Sequence, residues 1–214
     1  FLVLCAVAFA LPVLGALSVS DLSLGKGTSR RSFLERFTRF DPASELSRFN
    51  QHASVEPVPV SAETAAVVRR AIEIGQASEG AFDVTLGPVI DLRGFDDEKR
   101  RSEPPPAEEL AAARARVGLD KLRVLEGADG AGDAGAKAAS ALVKARPDLD
   151  VNLSGIAKGY GVDQVFELVR DAGFSDVLVE IGGEVRASGR NGEGQPWRLG
   201  INVPRSGADP TAVL

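Results

Sequence analysis

The run from Val151 to Asp163 (VNLSGIAKGYGVD) constrains this chain more than any other stretch. It predicts a turn that opens a helix, because Asn152 and Ser154 can accept hydrogen bonds from free backbone N–H groups at a helix start. Gly155 would let a ligand approach the main chain, and Lys158 adds a positive charge. A helix start of this kind favours an anion as ligand. The alternative is a simple N-cap with Lys158 in solvent.

Apolar residues recur at helical spacing after this turn, namely Val162, Val165, Phe166 and Val169. They predict one buried face of an amphipathic helix that ends at residues 172–173. Residues 177–183 are then predicted to form a strand that ends in a glycine pair. Glu180 and Glu184 flank this pair, and we interpret them as charges at strand ends rather than as ligands.

The remaining elements are predicted from periodicity and from residue types common at helix ends. Helices are expected over residues 33–40, 61–78 and 107–117, strands over residues 121–125 and 197–203, and an extended edge segment over residues 55–60. The first helix should stop before Pro42. Residues 41–50 are predicted to form a polar turn that Leu46 and Phe49 anchor. Residues 138–145 fit a helix or a strand equally well.

A second candidate site is the glycine-punctuated segment Gly80–Pro88, which carries a carboxylate and a hydroxyl. Ala81, Phe82 and Asp83, with Thr85, could form a turn that contacts a ligand. They could equally be the end of a helix, with Asp83 capping a loop. The local sequence does not decide between these two interpretations.

Composition excludes some classes of protein. The chain has 214 residues, of which 44% are hydrophobic and 26% charged, as in soluble globular proteins. A net charge of -5 without a basic cluster argues against nucleic acid as the main partner. Cys5 is the only cysteine, so no internal disulfide can form. Lipidation of Cys5 is not expected, because Leu4 before it is not small.

Residues 1–19 are apolar and uncharged and resemble the apolar region of an export signal. The sequence starts without a methionine or a basic region, so we expect it to begin inside that signal. A stretch of about 20 apolar residues could also span a bilayer once. The alternative is a buried N-terminal strand or helix. Residues 20–32 are predicted to be a linker.

Two other motifs carry weaker hypotheses. Residues 130–135 match G-x-G-x-x-G, and Asp150 follows at a distance suited to a ribose-binding acid of a dinucleotide-binding oxidoreductase. A flexible loop is the favoured interpretation, because residues 127–129 separate the glycines from the preceding strand. His52 is the only histidine, so a zinc site or a serine triad is not expected.

Five segments in order resemble the FAD:protein FMN transferases, the ApbE family, over residues 33 to 205. These segments are Asp41–Asn50, Gly80–Pro88, Asn152–Asp163, Ile181–Gly183 and Gly192–Trp197. The resemblance implies an α/β (α+β mixed) flavin-transfer domain over residues 33–214, incomplete at both ends. It implies an exported, periplasmic or membrane-anchored enzyme. With Mg²⁺, this enzyme would transfer FMN from FAD to a threonine hydroxyl of a target protein and release AMP.

The resemblance also implies roles for individual residues. Those expected to contact FAD are Phe40, Ala81, Phe82, Asp83, Asn152 and Lys158. The backbone carbonyl of Gly155 is expected to be one ligand of Mg²⁺. The catalytic residues are expected beyond Leu214, together with the other metal ligands. We therefore expect the 214 residues alone to be inactive.

The sequence departs from the family pattern at two positions. Asn152 stands where the family usually has aspartate, and Arg93 stands where tryptophan is common. Two rival functions remain open beside the oxidoreductase. One is a relative that hydrolyses FAD to FMN and AMP without a protein acceptor. The other is a non-catalytic ligand-binding module in which the run at Asn152 only caps a helix.

Overall fold

Two units make up the chain in the computed structural model, which describes residues 5–9, 36–94, 103–126, 140–201 and 212–213. The middle unit comprises Ser29–Ala157. The terminal unit comprises Phe1–Thr28 and Lys158–Leu214. The glycine motif at residues 130–135 lies outside the described residues.

In its described residues, the middle unit combines four α-helices with one antiparallel sheet. Its helices are α1 (Glu45–Gln51), α2 (Ala62–Ala77), α3 (Gly87–Leu92) and α4 (Ala107–Arg116), and its strands are β2 (Val58–Val60), β3 (Leu122–Leu125) and β4 (Ser140–Lys144). A short 3₁₀ helix, Leu119–Lys121, precedes β3. The strand order is β2-β4-β3.

Strand β4 settles the helix-or-strand ambiguity for Ser140–Lys144, and residues 138–139 lie outside the described residues. It pairs with β2 on one side, with Val58 opposite Leu142, and with β3 on the other, with Leu122 opposite Lys144. Its residues Ala141–Lys144 are all buried. The edge segment predicted over residues 55–60 is confirmed for Val58–Val60, because strand β2 lies at the sheet edge. Proline is tolerated in an edge strand, where a missing N–H removes few hydrogen bonds between strands.

Helix α2 confirms the prediction for residues 61–78. Ser61 is its N-cap, and the side chain of Ser61 accepts a hydrogen bond from the backbone N–H of Thr64. The face packed into the unit carries Thr64, Ala65, Val67, Val68, Ala71 and Gly75. The helix therefore forms where the sequence provides both an N-cap and an apolar face at helical spacing.

In the described part of residues 33–50, the predicted helix and the predicted turn were wrong, whereas the predicted anchoring by Leu46 and Phe49 is confirmed. Residues 36–40 form turns and bends, whereas the expected polar turn contains helix α1. The helix begins because the side chain of Ser44 accepts from the backbone N–H of Ser47. Leu46 and Phe49, one helical turn apart, are fully buried and hold it in place.

The terminal unit places helix α5 (Ala157–Asp171) on a sheet of order β1-β5-β6, formed by β1 (Cys5–Phe9), β5 (Val177–Ile181) and β6 (Glu184–Ser188). The predicted stripe is confirmed. Its members Val162, Phe166 and Val169 are buried against alternate residues of β5, and Val165 packs beside them. Strands β7 (Gly200–Ile201) and β8 (Ala212–Val213) pair separately. The strand predicted over residues 197–203 thus includes Gly200–Ile201, but residues 197–199 are not part of it.

Strand β1 pairs antiparallel with β5, with Cys5 opposite Ile181. Residues 1–4 and 10–35 lie outside the described part of the chain. Among the described residues, no helix has both the length and the apolar character that crossing a membrane requires.

Glu45 connects helices α1 and α2. Its Oε2 accepts hydrogen bonds from the backbone N–H and the hydroxyl of Ser61, at 3.1 and 2.8 Å, and from the hydroxyl of Thr64. Burial alone would raise the pKa of Glu45, but these hydrogen bonds and the positive charge of Arg36 together lower it below its ordinary value. The ionised carboxylate therefore stabilises the start of α2.

We predict that Glu45→Gln lowers the free energy of unfolding by about 1–2 kcal/mol at neutral pH. Because the folded pKa of Glu45 is depressed, its contribution is present above the unfolded pKa and is lost as the pH falls through the folded one. The variant should therefore lose less stability than the wild type on acidification. Urea unfolding between pH 7 and pH 3 measures this, with the exposed Glu56→Gln as control. If the free energy of unfolding fell equally in wild type and Glu45→Gln over this pH range, the stabilising role of the ionised Glu45 would be contradicted.

Candidate functional site

A backbone hydrogen bond joins the two segments that the sequence singled out. The N–H of Asn152 donates to the carbonyl of Val84 at 2.8 Å. Both residues are buried, and both lie in the middle unit. The turn at residues 81–83 and the start of the run at Asn152 are therefore neighbours within the middle unit.

Gly155 lies against the ring of Phe82. A Cβ atom built on Gly155 would be 3.3 Å from Cε2 of that ring. This distance is at the tight end of van der Waals contact, so a side chain at position 155 would have to displace the ring. Gly155 is exposed and Phe82 half-buried, so the two residues share part of one accessible surface.

The turn at residues 81–83 follows directly from the end of α2. The backbone N–H of Phe82 donates to the hydroxyl of Ser78 at 3.1 Å. Glu79 and Gly80 take the left-handed conformation, with φ of 53° and 83°, which reverses the chain. A Cβ on Gly75 would be 2.8 Å from the carbonyl oxygen of Phe82, so only glycine allows this close approach.

The side chain of Asp83 caps its own loop. Its Oδ1 accepts from the backbone N–H of Thr85 at 2.7 Å and from the Thr85 hydroxyl at 2.6 Å. That hydroxyl in turn accepts from the backbone N–H of Gly118 at 2.7 Å. Because Gly118 supplies the proton of that bond, the hydroxyl proton of Thr85 points to Asp83. The capping interpretation is thus correct for Oδ1, and Oδ2 makes no hydrogen bond within the described ranges.

Asn152 accepts a backbone hydrogen bond, as predicted. Its Oδ1 accepts from the N–H of Ser154 at 2.9 Å, which closes a two-residue turn. Ser154 therefore contributes its N–H here. The N–H of Ala157 then donates to the carbonyl of Leu153 at 2.9 Å, and α5 begins.

Lys158 is paired rather than free in solvent. Its Nζ lies 2.8 Å from Oε1 of Glu184 and 3.4 Å from the carbonyl of Gly182, all within the terminal unit. The side chains of Lys158 and Glu184 are 50% and 38% exposed, so water screens their attraction. An anion that binds Lys158 must therefore compete with Glu184.

Phe40 is 70% exposed, which suits a ring that receives a planar ligand. The preceding guanidinium of Arg39 lies 2.6 Å from Asp91 and 3.7 Å from Asp150. Burial raises the pKa of Asp150, and the charge of Arg39 opposes this shift. No sequence pattern indicated this cluster, because its members are distant along the chain.

A cavity of about 710 Å³ lies beside this cluster, between α3, α4 and the segment after β4. Its lining comprises Pro88, Asp91, Leu92, Glu109, Ala112, Ala113, Arg116, Arg146, Asp148 and Asp150. None of the residues expected to contact FAD is among them. The cavity and the Phe82–Gly155 surface are therefore lined by different residues.

Within the described ranges, no group of three or more histidine, cysteine, aspartate or glutamate residues is placed to hold a metal. Mg²⁺ needs near-octahedral oxygen coordination, which the carbonyl of Gly155 alone does not provide.

Comparison with known proteins gives a consistent set of relatives. A family profile described as "ApbE family" matches residues 28–214. A protein of Haemophilus influenzae named FAD:protein FMN transferase is 44% identical over 170 residues, 79% of this chain and 46% of its own length. One of the same name from Vibrio cholerae is also 44% identical over 170 residues, 79% of this chain and 47% of its own length. The chain therefore spans about half the length of the curated relatives it matches.

Solved structures agree with these relatives. "Flavin Transferase ApbE from Vibrio cholerae" matches with a TM-score of 0.69 and 41% identity, over 81% of this chain and 52% of that one. An apbe protein from Thermotoga maritima matches with a TM-score of 0.67 and 29% identity, over 84% of this chain and 54% of that one. The similarity thus extends to the mixed arrangement of helices and sheets.

We predict that Thr85→Val lowers the free energy of unfolding by about 1–3 kcal/mol, because the N–H of Gly118 and the carboxylate of Asp83 each lose their partner, the buried hydroxyl of Thr85. Urea denaturation measures this effect. Thr85→Ser keeps the hydroxyl and should retain most of the stability. If Thr85→Ser were as unstable as Thr85→Val, the methyl group rather than the hydroxyl would be responsible.

Proposed function

Because this chain belongs to the ApbE family, we propose that the whole protein transfers FMN from FAD to a threonine hydroxyl of a target protein and releases AMP. The family relation rests on the profile match over residues 28–214. The named relatives are flavin transferases, which supports FAD and a protein as the two substrates. The threonine acceptor and the release of AMP come from the family resemblance.

One observation carries the proposal on the structural side. The hydrogen bond between Asn152 and Val84 and the contact between Gly155 and Phe82 bring together the two segments assigned to FAD. These two segments are distant along the chain, so their proximity depends on the fold. Glycine main chain beside an aromatic ring suits a nucleotide, because the chain can approach phosphate closely and the ring can stack.

The proposed reaction is a phosphoryl-type transfer. The threonine oxygen bonds to the phosphorus of the FMN half, the bond between that phosphorus and the bridging oxygen breaks, and AMP leaves with the electron pair. The hydroxyl proton passes to a base, which we place outside the residues that the structure describes. Such a reaction requires positioned donors near the phosphate oxygens and exclusion of competing water.

We propose that Phe40, Ala81, Phe82, Asp83 and Asn152 contact FAD in the middle unit. Asn152 is neutral where the family usually has aspartate, which keeps a hydrogen-bonding side chain near the phosphates without adding a negative charge. For Lys158 the same role rests on the resemblance, and its ammonium would bind a phosphate oxygen in place of Glu184.

We further propose that Mg²⁺ binds with the Gly155 carbonyl as one ligand and with other ligands from outside the described residues. When bound, it would neutralise charge on the pyrophosphate. We also propose that the protein is exported, periplasmic or anchored in a membrane. The resemblance of residues 1–19 to the apolar region of an export signal supports this proposal. The pairing of Cys5–Phe9 with β5 favours the alternative of an N-terminal strand for that segment.

We predict that Lys158→Ala raises the dissociation constant of FAD about tenfold in the full-length gene product, because a charge-assisted hydrogen bond to phosphate is lost. Fluorescence quenching of FAD measures the affinity. The matched control is Arg70→Ala, which removes another exposed cation that pairs with a glutamate, Glu73, at 3.0 Å. Equal affinity in wild type and Lys158→Ala would favour a binding module in which the turn only caps a helix.

We predict that the full-length gene product, given FAD and Mg²⁺, attaches FMN to a threonine-containing target, and that EDTA abolishes the transfer until excess Mg²⁺ is restored. Mass spectrometry of the target and chromatography of AMP measure the two products. A control target with valine at the acceptor position should remain unmodified. Release of free FMN and AMP without labelled target would instead indicate a hydrolase.

A further inference from the structure

Lys144 is a lysine with no access to solvent. It ends strand β4, and its exposed fraction is 0%. Its ammonium donates to three backbone carbonyls, those of Asn50 and Pro147 at 3.2 Å each and that of Leu149 at 3.4 Å. The Nζ atom also lies 4.8 Å from the centre of the Phe49 ring. Main-chain dipoles and an aromatic face thus surround the charge.

A buried ammonium is costly unless it is compensated. No carboxylate among the described residues lies within ion-pair distance of Lys144, and Asp150 and Asp148 act on it only at longer range. Burial lowers the pKa of Lys144, and these two carboxylates oppose the shift. The three carbonyls are therefore the groups that directly compensate the buried charge of Lys144. In turn, the ammonium is the hydrogen-bond donor that these carbonyls need.

Two of these carbonyls belong to the turn that leads into the candidate site. Pro147 and Leu149 precede Val151 in the irregular segment between β4 and α5. Such a turn cannot satisfy its inward-pointing carbonyls by itself, because it has no neighbouring strand. Lys144 therefore holds the turn closed from inside.

The third carbonyl belongs to Asn50, whose side chain also binds the same segment. The side-chain Nδ2 of Asn50 donates to the carbonyl of Val151 at 2.9 Å, and its Oδ1 accepts from the N–H of Val151 at 2.9 Å. The amide thus pairs with Val151 as a strand would. The next residue, Asn152, donates its N–H to Val84.

We propose that Lys144 is a positioning residue of the flavin-nucleotide site, which acts through the carbonyls of Asn50, Pro147 and Leu149 to hold Asn152 and Gly155 beside the turn at residues 81–83. This inference rests on the proposed function. Without the ammonium, three carbonyls lose their donor, and the segment opens to hydrate them. FAD then binds only the fraction of molecules in which the segment is closed, and the apparent dissociation constant rises as that fraction falls.

The test is Lys144→Met in the full-length gene product, because methionine retains length and apolar volume without the charge. We expect the KM for FAD to rise about tenfold, with kcat changed by less than about twofold, because saturating FAD restores the closed segment. The matched control is Val67→Ala, which weakens the core of the same unit. It should lower the Tm and the yield of active enzyme while KM stays unchanged. A fall in kcat at constant KM in Lys144→Met would overturn the proposal.

A second variant covers the case in which Lys144→Met does not fold. Asn50→Ala removes the pairing with Val151 and leaves Lys144 in place, and it should raise the KM for FAD in the same way. An unchanged KM in folded Asn50→Ala would overturn the link between these residues and the site. Chemical rescue adds a charge-specific readout. Propylammonium, but not propan-1-ol, should lower the raised KM of Lys144→Ala.

Amide hydrogen exchange in the absence of FAD separates this proposal from the proposed function. In Lys144→Met the amides of Val151 and Asn152 should exchange about tenfold faster than in Val67→Ala at matched global stability. If the wild type bound no FAD, the proposed function would fail, and the exchange result would still decide the positioning role. If these two amides exchanged at the same rate in Lys144→Met and Val67→Ala, the positioning role of Lys144 would be overturned.

Discussion

The satisfaction of buried main-chain polar groups is the constraint on which the rest of the middle unit depends. The segment between β4 and α5 is irregular, yet Leu149, Val151 and Leu153 are almost completely buried. Their N–H and C=O groups cannot reach water, so each needs a partner from elsewhere in the fold. Asn50 and Lys144 supply such partners. Within this one segment, Leu149, Val151 and Leu153 therefore belong to the core, and Asn152 between them belongs to the candidate site.

The sequence predicted the elements that bury one regular face. Helices α2 and α5 follow from apolar residues at helical spacing, and the structure places those residues in the two cores. Helix α1 was missed because its seven residues contain only two large apolar side chains, and because its start depends on the cap at Ser44. Strand β4 remained ambiguous because it is buried between two neighbours, and consecutive buried residues show neither strand nor helix periodicity.

The candidate site was predictable where residue type alone indicates the chemistry. Turn-forming residues at Asn152 and Gly155 indicated a place for an anion, and the family resemblance indicated FAD. The partner of Lys158 and the role of Lys144 could not be predicted in this way. Lysine ordinarily lies at the surface, and the carbonyls that hold Lys144 carry no sequence signature, because every residue has one.

The glycine at position 75 shows how the fold restricts its own variation. In the interior of a helix, glycine costs about 1 kcal/mol relative to alanine, so an isolated helix would gain from the exchange. Here that gain cannot be realised, because a methyl group would meet the carbonyl oxygen of Phe82. Stabilising the helix and preserving the turn at residues 81–83 are therefore opposed at this position. Attempts to improve thermal tolerance through helix propensity must bypass it.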